Sequence, residues 1–251
     1  WIYKAAIWKQ AMRDSVKALD DWTLWLTAGV LLGSLALFRI DGRLGWAAAL
    51  MALASLVMPR HIFGGDYVDY RLISSSFLVG ALALRWRAAR WLVWLAPVLF
   101  LVRLGYTTHD AAMNSARTEE VLALVEPLPR GAVVASVVVT ERGVWKRNPL
   151  EHIGGFAVVR RDALSNMHFA LPGVHMLELR RPWPDFIDPS QRILHHAGAR
   201  IDLGAHPAVR RADYLWYVGP QDLATLPAGA QVIAHTRGAL LARLAKVPGA
   251  S

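Results

Sequence analysis

Long uncharged apolar runs alternate with short polar segments over the first 106 residues of the chain. The clearest run covers residues 22–38, where 17 residues without a charge stand between Asp21 and Arg39. A helix of about 17–25 mainly apolar residues is long enough to cross a bilayer. Further runs cover residues 44–58, 72–84 and 91–106. The pattern therefore predicts a transmembrane region over residues 22–106, with about four transmembrane helices.

Residues 1–21 have the period of an amphipathic helix. Their apolar residues recur at steps of three and four: Trp1, Ala5, Trp8, Met12, Val16 and Leu19. Lys9, Arg13 and Lys17 share another face of such a helix. A helix of this kind lies along a bilayer surface or packs against a partner helix, and both interpretations stay open.

The arginine-rich loops predict how the apolar runs are oriented across a membrane. The short loops at residues 39–43 and 85–90 are rich in arginine, and such loops favour the cytoplasmic side of a membrane. This topology places residues 107–251 outside the cytoplasm, as an extracytoplasmic domain.

The pattern changes after residue 106 to one typical of an α/β domain. A helix is predicted at residues 109–126, followed by a β-branched run at residues 132–140 that is typical of a strand buried on both faces. Further strands are predicted at residues 155–161, 175–180, 213–219, 231–236 and 239–244, and further helices at residues 185–197 and 221–226. The predicted fold is a membrane α-helical region followed by this α/β domain.

Charge and composition narrow the possible partners. The net charge is +9, and residues 1–106 hold 12 Lys and Arg against 6 Asp and Glu, while the remainder holds 16 against 13. The excess lies beside apolar runs and forms no basic stripe with interleaved aromatic residues, so no nucleic acid partner is expected. The predicted partner is a lipid bilayer.

One polar loop, residues 59–72, concentrates the candidate chemistry. Arg60, His61 and Arg71 can hold a lipid phosphate, because arginine presents a planar fork of donors to phosphate oxygens. Asp66 and Asp69 can act as a base or a metal ligand, or can form ion pairs with the arginines. The alternative is a structural loop, neutralised by these pairs.

Other kinds of site have weaker support. The chain has no cysteine, so disulfides and thiolate metal sites are excluded, and its histidines show no standard ligand spacing. No metal site or cofactor is predicted, although a divalent cation is left open. Glycine-rich phosphate loops and a GxSxG elbow are absent. Residues 140–152 follow the first predicted strand and can bind a ligand at its carboxyl end.

The order of these parts resembles a known family. With the segments PLPRGAVVASVVV, DYLWYVG and AHTRGALLARL, the layout is similar to the C-terminal half of polytopic bacterial glycosyltransferases of the C-type superfamily. The loop GGDYVDYRL is similar to an interspan loop of related bacterial membrane proteins. The resemblance implies a bacterial inner-membrane location, a polyprenyl-phosphate sugar donor, and a lipid-phosphate role for Arg60, His61 and Arg71.

The same resemblance leaves the catalytic residue unassigned. Members of the superfamily carry a catalytic aspartate in their first extracytoplasmic loop, and no loop of this chain matches it. Because the chain begins with Trp1, which is not a translation start, it is expected to be part of a longer protein.

Two function hypotheses follow. The first is the C-terminal part of an integral inner-membrane glycosyltransferase that uses a lipid-phosphate donor on the extracytoplasmic face. The alternative is a non-catalytic accessory or scaffold subunit of a larger membrane protein complex, with partner membrane subunits docked on the Trp-rich helices. The first predicts that replacing Arg71 with Ala lowers transfer strongly without unfolding the protein, and the second predicts that changes at Arg60, His61 and Arg71 are tolerated.

Overall fold

The chain folds into two compact units. The computed structural model describes residues 1–37, 39–62, 67–85, 94–141, 145, 148–180, 183–188, 193–195 and 199–245. The first unit comprises Trp1–Asp110 and Trp145–Arg147, and the second comprises Ala111–Val144 and Asn148–Ser251. We call them the helical unit and the sheet unit.

The helical unit is built from α-helices that follow the predicted apolar runs. They are α1 (Ile2–Lys9), α2 (Lys17–Ala36), α3 (Gly42–Val57), α4 (Val68–Leu82) and the first part of α5 (Leu95–Leu122). The start of α3 is set by Asp41, whose side chain accepts hydrogen bonds from the backbone N–H groups of Arg43 and Leu44. Pro59 follows the end of α3 and prevents its continuation.

The prediction of about four transmembrane helices is wrong. Within the part of the chain that the structure describes, no helix combines the length and the apolar character needed to cross a bilayer. The 16 residues of α3 and the 15 of α4 rise about 24 and 22 Å at 1.5 Å per residue, less than the hydrocarbon thickness of about 30 Å. The multi-pass inner-membrane location, and the extracytoplasmic placement of residues 107–251, rested on those spans and are wrong with them.

The two longer helices carry charges where apolar residues are needed. Asp20 and Asp21 lie near the start of α2, and α5 becomes polar after Tyr106. Residues 86–93, including most of the second basic loop, lie outside the described residues. The N-terminal segment also differs from its prediction, because α1 ends at Lys9 and α2 begins at Lys17, so residues 1–21 do not form one amphipathic helix.

The sheet unit contains a mixed β-sheet. Its strands are β1 (Val133–Glu141), β2 (Leu164–Ser165), β3 (Ile193–His195), β5 (Tyr214–Val218), β7 (Gln231–Thr236) and β8 (Ala239–Arg243), while β4 (Ile201–Asp202) and β6 (Ala224–Thr225) form a separate parallel pair. The strand order is β2-β1-β5-β8-β7, with β3 also paired to β1. β1 is parallel to β2, β3 and β5, whereas β8 is antiparallel to β5 and β7.

Two hydrophobic layers enclose this sheet. Val134, Val138 and Trp216 belong to one layer, and Val137 and Tyr217 belong to the other. Successive residues of a strand point to opposite faces, so the apolar run of β1 is explained by burial on both sides. The predicted strands at residues 132–140, 213–219, 231–236 and 239–244 correspond to β1, β5, β7 and β8.

The other assignments in this unit are wrong. Residues 155–161 form helix α6 (Gly155–Arg161), and residues 175–180 contain no strand. The helix predicted at residues 185–197 is the single turn α7 (Pro184–Ile187) followed by β3, with residues 189–192 and 196–197 outside the described part. Residues 221–226 contain β6 instead of a helix.

Tertiary contacts explain why α6 is a helix. Arg160 pairs with Glu119 and Glu126, and Arg161 pairs with Glu126. Asp162, with a φ of 52°, ends the helix in the left-handed conformation. A seven-residue apolar segment fits a strand or a helix equally well, so its partners decide the outcome.

Candidate functional site

The predicted site residues lie around the end of α3 and the start of α4. Arg60 and His61 follow α3, Asp69 lies in the first turn of α4, and Arg71 lies on the exposed side of that helix. Asp66 lies outside the described residues. The structure brings Arg60 and Asp69 into one polar cluster, together with Tyr3 and Lys4 of α1.

Asp69 is fully buried and is held by a lysine that sequence reasoning did not select. Lys4 Nζ lies 2.5 Å from Asp69 Oδ2, and it also donates to the backbone carbonyls of Ser55 at 2.9 Å and Met58 at 2.6 Å. Asp69 Oδ1 accepts from the Tyr70 N–H at 2.9 Å. A buried charge needs a partner and hydrogen bonds, and these contacts supply both.

Arg60 stacks on tyrosines beside this pair. Its guanidinium carbon lies 4.4 Å from the centre of the Tyr67 ring and 5.9 Å from that of Tyr3. The Tyr3 hydroxyl donates to Asp69 Oδ1 at 3.3 Å. Burial, together with the negative charge of Asp69, raises the pKa of Tyr3, so this hydroxyl remains a donor at neutral pH.

These contacts predict different outcomes at the two arginines. Arg60→Ala should lower the free energy of unfolding by about 1 kcal/mol, because it removes the stacking on two rings. Arg71→Ala should change it by less than about 0.5 kcal/mol, as expected for an exposed side chain. Urea denaturation of both variants measures the difference. Equal effects would show that the stacking contributes nothing to the fold.

A second polar cluster of the helical unit was not predicted. Arg103 Nη2 lies 3.0 Å from the buried carboxylate of Asp20, and the Trp145 indole N–H donates to the same carboxylate at 2.8 Å. The Trp145 ring lies 5.6 Å from the Arg13 guanidinium and 5.3 Å from the Lys17 ammonium. The single charge inside the apolar run at residues 91–106 was the available signal, because an arginine there requires a partner.

Trp145 belongs to the segment 140–152 that the sequence offered as a ligand loop. Residues 142–144, 146 and 147 of that segment lie outside the described part. Asn148 donates to the backbone carbonyl of Val139 at 3.3 Å and accepts from the N–H of Leu150 at 3.0 Å. The described residues of the segment thus make structural contacts, and ligand binding there stays a prediction.

An open cavity of about 580 Å³ lies in the sheet unit, where β1, β5 and β7 begin and β8 ends. Its polar lining includes Arg130, Asp213 and Arg243. Arg130 is already paired with Asp162 at 2.7 Å. The predicted carboxyl-end ligand site would lie at the opposite end of the parallel strands, so this cavity does not correspond to it.

Histidines of the sheet unit cluster around an exposed aromatic ring. The ring of Phe169 lies 6.2 Å from that of His152 and 5.6 Å from that of His175. His175 Nδ1 accepts from the Leu171 N–H at 3.1 Å, so this imidazole has a role in the turn. Among the described residues, no group of His, Asp and Glu is arranged to hold a metal ion.

The most unusual feature of the helical unit is the distribution of apolar side chains. Large apolar residues are exposed along α2, α3 and α4 and along the first turns of α5. They are Trp22, Trp25, Leu26, Val30, Leu32, Leu35, Leu44, Trp46, Leu50, Leu53, Val57, Leu78, Leu82, Val98, Leu99, Phe100, Leu101, Val102 and Leu104. Trp22 and Trp46 are each more than 70% exposed.

The interior of the same unit holds one cluster of large apolar side chains, among them Ile7, Leu24, Ile73 and Phe77, together with small and polar residues. Ser34 and Ser55 are completely buried, and the buried Ser76 hydroxyl of α4 donates to the Ala48 carbonyl of α3 at 2.9 Å. Gly80 allows α4 to approach closely, because a Cβ at this position would lie 3.2 Å from Leu31. The contact between α3 and α4 is therefore made through small residues, and the helices direct many large apolar side chains outward.

Comparisons with protein-family models, with curated proteins and with solved structures find no match to this chain. A functional proposal therefore rests on the geometry described above.

Proposed function

We propose that the chain is a non-catalytic accessory module that attaches to a lipid surface through the sides of the helices in its helical unit. The observation that carries the proposal is the large number of apolar side chains exposed on this unit. Leucines and tryptophans lie on the outside of α2, α3 and α4, small and polar groups lie where α3 meets α4, and one apolar cluster lies among α1, α2 and α4.

Water and acyl chains favour different arrangements of such a unit. In water, burying one large apolar side chain stabilises a fold by about 1.5–3 kcal/mol, so the outward leucines and tryptophans forgo much of the usual stabilisation. Large apolar side chains exposed in such number indicate an interaction surface. Between acyl chains, helices associate instead through small residues and interhelical hydrogen bonds, which is the arrangement of Ser76, Gly80 and Ala48.

Contact along the sides of the helices does not require any of them to cross a bilayer. Amphipathic segments also lie within the interface of a lipid surface, with their apolar sides among the acyl chains. Trp22, Trp25 and Trp46 suit that position, because an indole ring combines an apolar body with one polar N–H group.

Asp69 is a poor candidate for the base of a sugar transfer. A general base must reach the proton that it removes, whereas Asp69 is fully buried and bound by Lys4, Tyr3 and the Tyr70 N–H. Transfer from a polyprenyl-phosphate donor, with Arg60, His61 and Arg71 on the phosphate, stays a prediction from the resemblance.

Flotation of the full chain with phosphatidylcholine vesicles tests this proposal. We expect the chain to float with the vesicles and its tryptophan emission to shift to shorter wavelength. Replacing Leu32, Leu50 and Leu53 with Asn should abolish flotation, because polar amides are poorly solvated by acyl chains. Replacing Val159, Val232 and Ile233 of the sheet unit with Asn is the control and should have no effect; these residues are also exposed, at 79, 47 and 45% against 67, 61 and 58% for the three leucines. A chain that does not float would overturn the proposal and favour a protein partner on these faces.

A further inference from the structure

One end of the helical unit carries a rigid pair of connections. Residues 39–41 link α2 to α3, and residues 83–85 follow α4. Ile40 and Leu84 form an antiparallel bridge, the Asp41 N–H donates to the Ala83 carbonyl at 2.7 Å, and the Arg85 N–H donates to the Arg39 carbonyl at 2.8 Å. The two connections are therefore fixed to each other by backbone hydrogen bonds.

This end has an excess of positive charge. Arg39, Arg43 and Arg85 are all exposed, and Asp41 is the one acidic residue in the described parts of these connections. Asp41 is engaged by the Arg85 guanidinium and by the N–H groups at the start of α3. Backbone hydrogen bonding from Leu44, followed by the Arg85 contact, lowers the pKa of Asp41. Its negative charge therefore offsets the positive charge of one arginine, and about two positive charges remain at this end.

Exposed apolar side chains lie beside these arginines in the sequence and at the same helix ends. Leu37, Leu44 and Leu82 are 60, 40 and 67% exposed. A lipid surface has a similar arrangement, because its charged headgroups lie next to acyl chains. The fixed backbone holds the attachment points of these side chains at this border, although the exposed side chains still lose rotamer freedom on binding.

We infer that the end formed by Arg39, Arg43 and Arg85 binds the headgroups of anionic phospholipids. This inference rests on the proposed attachment of the helical unit to a lipid surface, and it names the lipid class. An arginine near an anionic surface strengthens binding by about fivefold, so two uncompensated arginines should give a preference of about 30-fold over a zwitterionic surface. The preference should decrease with salt, because screening acts on exposed charges.

The experiment compares vesicles of phosphatidylcholine with equimolar vesicles of phosphatidylcholine and phosphatidylglycerol. We expect the full chain to bind the mixed vesicles about 30-fold more tightly. The double variant Arg39→Gln/Arg43→Gln should lose this preference and keep its binding to pure phosphatidylcholine. The control Arg210→Gln/Arg237→Gln alters two exposed arginines of the sheet unit by the same charge and should keep the preference.

The outcomes separate this inference from the proposed function. Absence of binding to phosphatidylcholine overturns the attachment itself. Equal binding of the unmodified chain to the two vesicle types overturns the anionic headgroup site, because the preference would then be absent. An equal loss of the preference in both double variants also overturns it, because the preference would then follow the net charge of the chain and not this group of arginines. Circular dichroism of each variant, compared with that of the unmodified chain, tests whether the helices are retained.

Discussion

Asn166→Ala is expected to lower the free energy of unfolding of the sheet unit by about 2–4 kcal/mol. Asn166 is 1% exposed, and its side chain continues the pairing of β1 beyond the end of β2. Its Oδ1 accepts from the Ser136 N–H at 2.7 Å, and its Nδ2 donates to the Ser136 carbonyl at 3.0 Å. Alanine leaves both buried backbone groups without these bonds, and a buried unsatisfied group costs about 1–3 kcal/mol.

Hydrogen exchange at Ser136 and denaturation of the full chain measure this effect. Asn166→Asp tests the same geometry, because a carboxylate accepts from the Ser136 N–H but has no hydrogen to donate to the Ser136 carbonyl. Asn148→Ala is the control: its hydrogen bonds are only partly buried, so water can replace them and the loss should be below about 1.5 kcal/mol. Unchanged exchange at Ser136 in both Asn166 variants would contradict the role of this amide.

Most of the strands that could be predicted from the sequence have continuous burial. β1, β5 and β8 lie inside the strand order and are mainly apolar, so the local pattern and the tertiary environment agree, while β7 was predicted although it is an exposed edge strand. Short edge elements have no such signal. β2 has two residues and is extended by the side chain of Asn166, and a side chain acting as a strand leaves no periodicity in the sequence.

In the helical unit, the sequence predicted the positions of the helices but not the contacts between them. Apolar runs predicted where its helices lie, but run length alone did not predict how far each helix extends or which charges enter it. The predicted phosphate site depended on residue type alone, and the contacts of the described residues bring Arg60 and Asp69 together with Tyr3 and Lys4. Lys4 was not selected as a site residue, although it supplies the partner of Asp69 from 65 residues away in the sequence. Contacts over such separations cannot be read from local spacing.

Lys4→Met is expected to destabilise the helical unit by about 3–5 kcal/mol, the usual effect of removing one partner from a buried ion pair. The Asp69 side chain is 0% exposed, so its charge would remain in the interior without the ammonium group. The backbone carbonyls of Ser55 and Met58 would also lose their donor. Hydrogen exchange of the α4 amides reports the change in this unit, independently of the sheet unit.

Two further variants decide whether the charge of Asp69 causes the loss. Lys4→Met/Asp69→Asn should recover a large part of the stability, because a neutral amide still accepts from Tyr3 and the Tyr70 N–H without an unpaired charge. Asp21→Asn removes the exposed pair with Lys17 and should cost less than about 1 kcal/mol. If Lys4→Met costs no more than Asp21→Asn, the Lys4–Asp69 pair does not stabilise the unit. If the double variant is no more stable than Lys4→Met, the loss comes from the carbonyl contacts of Lys4 and not from a buried charge.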